Sequence, residues 1–367
     1  MQEDNLERRL EKKLAKMHER EFCILVGRGA VGIYLALKAL GYDNGKVVLP
    51  SILCLTPANI IIYAGLKPVY CDVNFSDFNL DIQSLEEILK NEEDVRAVIL
   101  PHLYGQPTDI DTVTNLVQKY NVPLIEDAAQ ALGGSYKGKP LGSFGGFSVL
   151  SFGHTKILDV GGGGAILFND KKYLKIIKGY LDGLPTRAKN YLALSEKYFK
   201  TYYALASLVR KDSSLSSLYY TFPYIFKDLY LFRDIESCLV EKIGKRLKSL
   251  KDVVYKRNEN GEYYSRVLQH EKIIHPDYRW KGVYWRYSFL IKEKNQVKIA
   301  EEVRQHDVDI SNWYPPIHLF YELTPSKLKN AEHLGRHIFN LWVEPKYSKK
   351  DIKKNADVVL SVLDKYG

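Results

Sequence analysis

The chain has 367 residues, of which 46% are hydrophobic and 26% are charged, a balance typical of a soluble globular protein longer than one typical domain. This composition excludes a disordered chain, a collagen and a coiled coil. Lysine and arginine exceed aspartate and glutamate by 53 to 44, and because the excess is spread along the chain it favours small anionic ligands over nucleic acid.

The opening segment, MQEDNLERRLEKKLAKMHER, predicts a solvated helix. It is too highly charged for a signal peptide, and no later segment has the roughly 18 consecutive apolar residues of a membrane span. The cysteines, Cys23, Cys54, Cys71 and Cys238, form no CxxC pair and no regular spacing, which argues against structural zinc and a disulfide framework. We therefore expect a location in a reducing cytoplasm.

Short apolar runs alternate with helical patterns from about residue 22 to residue 170. The runs predicted as buried strands are FCILV (22–26), KVVLP (46–50), PVYCDV (68–73), AVILP (97–101), PLIEDA (123–128), FSVLSF (147–152) and GAILF (164–168). Helical patterns between them, for example 30–40, 84–91 and 110–120, predict crossover connections and a mainly parallel central sheet with flanking helices. In such an α/β fold, ligands bind at the carboxyl ends of the strands.

The second half of the chain has a different pattern. Residues 185–227 are dense in tyrosine and leucine, as in YFKTYYALASLV, and predict a helical insert. Its apolar stripe is suited to the core, to a partner subunit or to a membrane surface, and packing against protein is the favoured interpretation. Beyond residue 240 a basic helix leads into RYSFLIKEK and a final helical stretch, as in a smaller α+β domain. We expect a large domain over 1–240, including the insert, and a small C-terminal domain over 241–367.

The first chemical signal is Gly27-Arg28-Gly29-Ala30-Val31-Gly32, which follows a strand and opens a helix as a dinucleotide-binding turn does. The acidic residue that such a turn needs about 20 residues later is missing, because the next strand ends in Leu49-Pro50-Ser51. The glycines and the helix N-terminus would still bind one phosphate group. Alternatively, the glycines serve only the geometry of a tight turn.

Two further signals follow strands of the same predicted sheet. One strand ends in Glu126 and Asp127, where a carboxylate could bind a metal or pair with a protonated ring nitrogen. The next strand leads through Ser151 to Lys156, and a lysine held away from water becomes a usable nucleophile and base. A purely structural role stays open for Asp127 and for Lys156 when each is taken alone.

Taken together, the signals match the needs of pyridoxal 5'-phosphate (PLP). This cofactor requires a phosphate cradle, an acid on its pyridinium nitrogen and a lysine for a Schiff base, and the chain offers them in that order. No metal is expected, since the remaining histidines lack metal-ligand spacing. Two alternatives stay open: an NAD-dependent oxidoreductase of the Rossmann type, and a non-catalytic regulator with a PLP-binding fold.

At these motifs the chain resembles the fold-type I, PLP-dependent sugar aminotransferases of the DegT family, which convert nucleotide-linked keto sugars into amino sugars. The resemblance runs through KVVLPSILCLTPANIIIYAGLKPVYCDVNFSDFNLD, LPHLYGQPTDID, PLIEDAAQALGGSYKGKPLGSFG and SFGHTK, and more weakly through YPPIHLF and NLWVEP. It implies that Lys156 forms the Schiff base, that Asp127 pairs with the pyridinium nitrogen and that Gln130 lies near the ring oxygen.

The resemblance also implies a phosphate site and a substrate site. Ser151 and the backbone amides of Gly29 and Ala30 would hold the phosphate. His318 would lie near the bound sugar, and Arg233 would reach the neighbouring active site of a homodimer with shared active sites. The implied reaction moves an amino group from L-glutamate to a nucleotide-linked keto-deoxysugar, with ping-pong kinetics.

The chain departs from the family pattern at three positions. Cys54 stands where an aromatic ring usually stacks on the cofactor, and Leu231 aligns with an asparagine of the partner's phosphate site. The histidine usually found three residues before the lysine is Gly153, with His154 shifted by one. Dehydratase relatives replace the lysine with histidine, so Lys156 favours transamination over dehydration. The sequence does not indicate which keto sugar, nucleotide or ring position is used.

Overall fold

The computed structural model describes residues 2–211, 222–293, 295–321 and 326–366. The strands within these ranges are, in chain order, β1 (Phe22–Val26), β2 (Lys46–Pro50), β3 (Lys67–Cys71), β4 (Val95–Pro101), β5 (Leu124–Asp127), β6 (Ser135–Tyr136), β7 (Lys139–Pro140), β8 (Phe147–Ser151), β9 (Gly164–Phe168), β10 (Ile273–Ile274), β11 (Tyr287–Ile291), β12 (Ile310–Ser311) and β13 (Ile338–Leu341).

The α-helices connect and cover these strands. In chain order they are α1 (Gln2–Met17), α2 (Gly29–Ala39), α3 (Leu55–Tyr63), α4 (Ile82–Asn91), α5 (Ile110–Lys119), α6 (Lys172–Asp182), α7 (Tyr191–Lys211), α8 (Phe222–Ile225), α9 (Lys227–Tyr230), α10 (Ser237–Arg246), α11 (Leu250–Val267), α12 (Gln296–Arg304), α13 (His318–Tyr321), α14 (Lys329–His337) and α15 (Lys349–Asp364). The start of α4 follows local chemistry, because the Asp81 carboxylate accepts a hydrogen bond from the Ser84 amide at 2.7 Å and caps the helix.

The large sheet contains every strand that the apolar runs predict. Its order is β1-β9-β8-β5-β4-β2-β3. Neighbours from β8 to β3 are parallel, whereas β9 is antiparallel to both β1 and β8. The prediction of a mainly parallel α/β sheet is therefore confirmed. The parallel strands end at one edge, and β5 and β8 bring Asp127 and Ser151 to it.

Helix α2 starts at this same edge and lies against the sheet. Nearly all of its residues are buried, including Gly29, Ala30 and Gly32. A Cβ atom placed on Gly32 would lie 3.1 Å from Val149 Cγ1 of β8, so the glycine permits the close approach of helix and sheet. The start of α2 is thereby fixed next to the ends of β5 and β8.

The C-terminal part of the chain builds a second, smaller sheet. Its antiparallel order is β10-β11-β13-β12, and apolar residues of α11, α12 and α15 pack with its strands in a separate core. This confirms the predicted smaller α+β unit. The segment from Tyr314 to Phe320 returns to the core of the large sheet, and the boundary at residue 240 stays a prediction.

The predicted insert is helical where it is described, and its residues 212–221 lie outside the described ranges. Tyr198 of α7 packs edge-on against Phe226, with ring centroids 5.3 Å apart. Leu192, on the same helix, is 82% exposed. One face of α7 therefore joins the core while another faces solvent. None of the described helices has the length and apolar character needed to cross a membrane.

Candidate active site

A pocket opens at the carboxyl end of the large sheet, between the start of α2, the start of α3 and the segment that follows β8. Its lining residues are Arg28, Gly29, Ala30, Ile33, Leu53, Cys54, Thr56, Pro57, Pro101, His102, Asp127, Ala129, Gln130, Val149, Ser151 and Lys156. Seven of the nine predicted site residues therefore meet in one place, although they come from four separate stretches of the chain. His318 and Arg233 are the two that do not line it.

Asp127 is the last residue of β5 and is 8% exposed. Among the described residues, its carboxylate accepts one hydrogen bond, from the Ala129 amide at 3.0 Å. Burial raises the pKa of Asp127, and the positive charge of Lys156 opposes that rise. A desolvated carboxylate with so few donors is stabilised by a cationic partner, which a protonated ring nitrogen would be.

Lys156 lies on the segment that follows β8, and hydrogen bonds hold the backbone on its N-terminal side. Thr155 has a φ of 66°, and its amide donates to the Asp159 carboxylate at 2.9 Å. The indole of Trp285 donates to the Thr155 carbonyl at 2.6 Å. The small α+β unit thus helps to fix the residue beside Lys156. The sequence carries no local signal for this contact, which spans 130 residues.

The start of α2 has the features of an anion site. Its N-cap residue, Arg28, makes no side-chain cap, and the first turn contains no acidic residue. A Cβ atom on Gly29 would lie 3.0 Å from Ser151 Cβ and 3.4 Å from Ser151 Oγ, so the serine hydroxyl lies against the helix N-terminus. Backbone amides, the helix dipole and a hydroxyl therefore converge at one end of the pocket.

Glu126 directly precedes Asp127, but its side chain stabilises the fold rather than lining the pocket. It is fully buried, and although burial would raise its pKa, hydrogen bonds and the charge of His102 lower the pKa of Glu126 to about 2. Its partners are His102 Nε2 (2.8 Å), the amides of Gly142 (2.6 Å), Phe144 (2.7 Å) and Gly145 (3.1 Å), and Ser148 Oγ (3.2 Å). Glu126 therefore ties the segment after the β6–β7 hairpin to the sheet behind Asp127.

His102 links this scaffold to the pocket. Its side chain is buried at 1% exposure and lines the pocket, while its Nδ1 atom has no hydrogen-bond partner among the described residues. Buried polar atoms are rarely left unpaired in a finished structure. His102 thus connects Glu126 to the lining of the pocket through its Nε2 atom.

Gln130 and Cys54 are the two remaining predicted site residues that line the pocket. The Gln130 side chain accepts from the Tyr104 amide at 2.9 Å and donates to Tyr314 Oη at 2.8 Å, so its amide is held by two aromatic residues. Tyr314 stacks with Trp285 at a centroid distance of 6.0 Å. Cys54 is a free, half-buried thiol at the N-cap of α3, and burial raises its pKa.

The two predicted substrate residues lie elsewhere. His318 is fully buried, its Nδ1 is 2.6 Å from Ser51 Oγ, and burial lowers its pKa to about 4. Arg233 is exposed and pairs with Asp234 at 3.5 Å. Their substrate roles stay predictions. Leu231, which aligns with the family's asparagine, is buried in the core.

The DegT/DnrJ/EryC1/StrS aminotransferase family model matches residues 2–195 and 236–360. The chain belongs to this family. The predicted enzyme class is thereby confirmed, and the unmatched segment between the two ranges contains most of the tyrosine-rich insert.

Individual relatives agree with this assignment. The chain is 26% identical over 368 residues to the GDP-perosamine synthase of Caulobacter vibrioides, covering 96% of this chain and 88% of that protein. It is 33% identical over 168 residues to the GDP-perosamine synthase of Escherichia coli O157:H7, an alignment that spans only 46% of each chain. The crystal structure of the aminotransferase TlmJ from Streptoalloteichus hindustanus superposes with a TM-score of 0.80 at 22% identity, over 99% of this chain and 92% of that one.

Proposed function

We propose that this protein uses PLP to move an amino group from L-glutamate to a nucleotide-linked keto-deoxysugar, for the synthesis of amino sugars in surface polysaccharides or glycosides. The observation that carries the proposal is the convergence of Lys156, Asp127 and the α2–Ser151 anion site on one pocket. A dinucleotide is less well supported, because β2 ends in Pro50 and offers no acid for a ribose.

The residues of the pocket fit PLP group by group. The phosphate would be held by Ser151 and the amides of Gly29 and Ala30, the ring nitrogen by Asp127 and the aldehyde carbon by Lys156. His102 supplies a further polar residue within the same lining. When bound, PLP supplies an aldehyde that captures amines and a ring that accepts an electron pair.

The protein's own groups then have separate tasks. Lys156, the amine among the lining residues, would take the proton from Cα of the amino donor, and in the second half-reaction it would donate a proton to the acceptor carbon that receives the amino group. The Asp127 carboxylate would hold the proton on the ring nitrogen and so keep the bound ring cationic. The Trp285 hydrogen bond at Thr155 restricts the backbone from which Lys156 projects.

The identity of donor and acceptor rests on family resemblance and on charge. Two relatives are named GDP-perosamine synthase, and another, from Streptomyces fradiae, is named L-glutamine:2-deoxy-scyllo-inosose aminotransferase and is 32% identical over 168 residues. A net charge of +9 favours an anionic, nucleotide-linked acceptor. We further propose a cytoplasmic homodimer in which Arg233 reaches the partner's site and His318 lies close to the sugar.

The test is the visible absorption spectrum of the purified protein with PLP, recorded before and after excess L-glutamate. We expect a band of lysine-bound cofactor that maps to Lys156 after borohydride reduction and that glutamate removes. A band that glutamate, and also glutamine, leaves unchanged would favour a non-catalytic regulator. If no band forms and a nicotinamide cofactor binds instead, the dinucleotide alternative replaces the proposal.

A further inference from the structure

Arg28 is a pocket residue to which the motif analysis assigned no role. It directly precedes α2 and lines the pocket next to Gly29, Ala30 and Ser151. It is half-buried, and within the described ranges no carboxylate forms an ion pair with it. A guanidinium that lacks a carboxylate partner and lies beside a helix N-terminus concentrates positive charge there.

The guanidinium is held in place from one side. Nη1 donates to the Leu229 carbonyl at 2.7 Å and to Tyr191 Oη at 3.1 Å, and the guanidinium carbon lies 5.2 Å from the centroid of the Tyr230 ring. Nε and Nη2 form no hydrogen bond with the described residues. Because arginine carries five N–H donors in a rigid fork, this arrangement fixes the group while leaving part of the fork available.

A second polar residue of the pocket also has an atom without a partner, because Nδ1 of His102 is buried and forms no hydrogen bond with the described residues. His102 comes from the end of β4, far from Arg28 in sequence, and lines the same pocket. Leu231, where the family resemblance places an asparagine of the partner's phosphate site, is buried and apolar, so it offers no side-chain donor.

These observations point to a role that rests on the proposed function. We propose that Arg28 binds the cofactor phosphate within its own subunit, through the guanidinium N–H groups that Tyr191 and Leu229 leave unused. The ligand class is a phosphate monoester, and Tyr191 of the insert and Leu229 just beyond the insert position the arginine for it. Charge-assisted hydrogen bonds of this kind are about twice as strong as neutral ones.

The test compares PLP with pyridoxal, which lacks the phosphate. Apparent dissociation constants for both are measured by absorbance titration on the wild type and on the Arg28→Gln, Arg28→Lys and Tyr191→Phe variants. We expect Arg28→Gln to weaken PLP binding at least about tenfold, the scale of a hydrogen bond to a charged group, and to change pyridoxal binding less than about twofold. Arg28→Lys should lie between, and Tyr191→Phe, which removes one of the two hydrogen bonds that hold the guanidinium, should give a smaller loss that is again selective for PLP.

Each outcome has a distinct meaning. Equal losses for PLP and pyridoxal, or no loss for either, would overturn the role of Arg28, because a merely structural arginine does not discriminate on the phosphate. A wild-type protein that fails to bind PLP would instead refute the proposed cofactor site. Thermal unfolding of each variant checks its folding, and if Arg28→Gln does not fold, a PLP-selective loss in Arg28→Lys decides the question.

Discussion

Glu126→Gln is the substitution whose cost follows most directly from the structure. The side chain keeps its size, but an NH2 group, which cannot accept a hydrogen bond, replaces one carboxylate oxygen. If it replaces Oε1 it faces the Gly142 amide, and if it replaces Oε2 it faces the amides of Phe144 and Gly145. The environment lowers the pKa of Glu126 from the ordinary 4.5 to about 2, and this difference corresponds to about 3 kcal/mol of stability. We expect the variant to lose a free energy of unfolding of about that size.

The pH dependence gives a second, independent check. The pKa of Glu126 is depressed in the folded state, so its contribution is fully present above about pH 4.5 and is lost as the pH falls toward about 2. Urea titrations should therefore show a gap between wild type and variant that is constant from pH 6 to pH 7 and shrinks below pH 4.5. The control is Glu86→Gln, because Glu86 pairs with Lys119 at the surface and should cost less than about 1 kcal/mol. A cost for Glu126→Gln no larger than that of the control would refute the reasoning.

Three further substitutions test the pocket. Lys156→Ala should retain PLP binding, seen by equilibrium dialysis, and lose turnover by at least about a thousandfold; substantial remaining transamination would contradict its role. Asp127→Asn should weaken PLP binding and nearly abolish activity, because a neutral amide no longer holds a ring proton, and normal activity would contradict this. Trp285→Phe removes the hydrogen bond to Thr155 and should lower kcat about tenfold or more with little change in PLP affinity, whereas an unchanged kcat would show that the bond does not position Lys156.

The strands of the large sheet were predictable because their signals are local. The runs at 22–26, 46–50 and 164–168 coincide with β1, β2 and β9, since each is a short apolar run bounded by charged or turn-forming residues. The direction of β9 was not predictable in the same way. Its pairing with β1 joins residues more than a hundred positions apart, and nothing in either run specifies that contact.

The same distinction applies to the pocket. Lys156, Ser151, Gly29 and Ala30 were predictable because each belongs to a short motif at a strand end. The hydrogen bonds that fix the residues around the pocket were not predictable, since Trp285 bonds to Thr155 across 130 residues of sequence and Gln130 bonds to Tyr314 across 184. Such contacts arise when the C-terminal part of the chain folds back onto the large sheet, and the spacing of residues within a short motif does not predict them.

The pair Glu126-Asp127 shows how structure decides between chemically similar residues. Successive side chains of a strand point to opposite faces, so the two neighbouring carboxylates enter different surroundings. Several donors form hydrogen bonds to Glu126, and because their effect on its pKa is larger than that of burial, the pKa is lowered. Asp127 accepts a hydrogen bond from one amide of the described residues, so burial prevails and raises its pKa even though Lys156 is near. The carboxylate that still lacks a strong partner is the one at the pocket, and a cationic ring bound there would complete its environment.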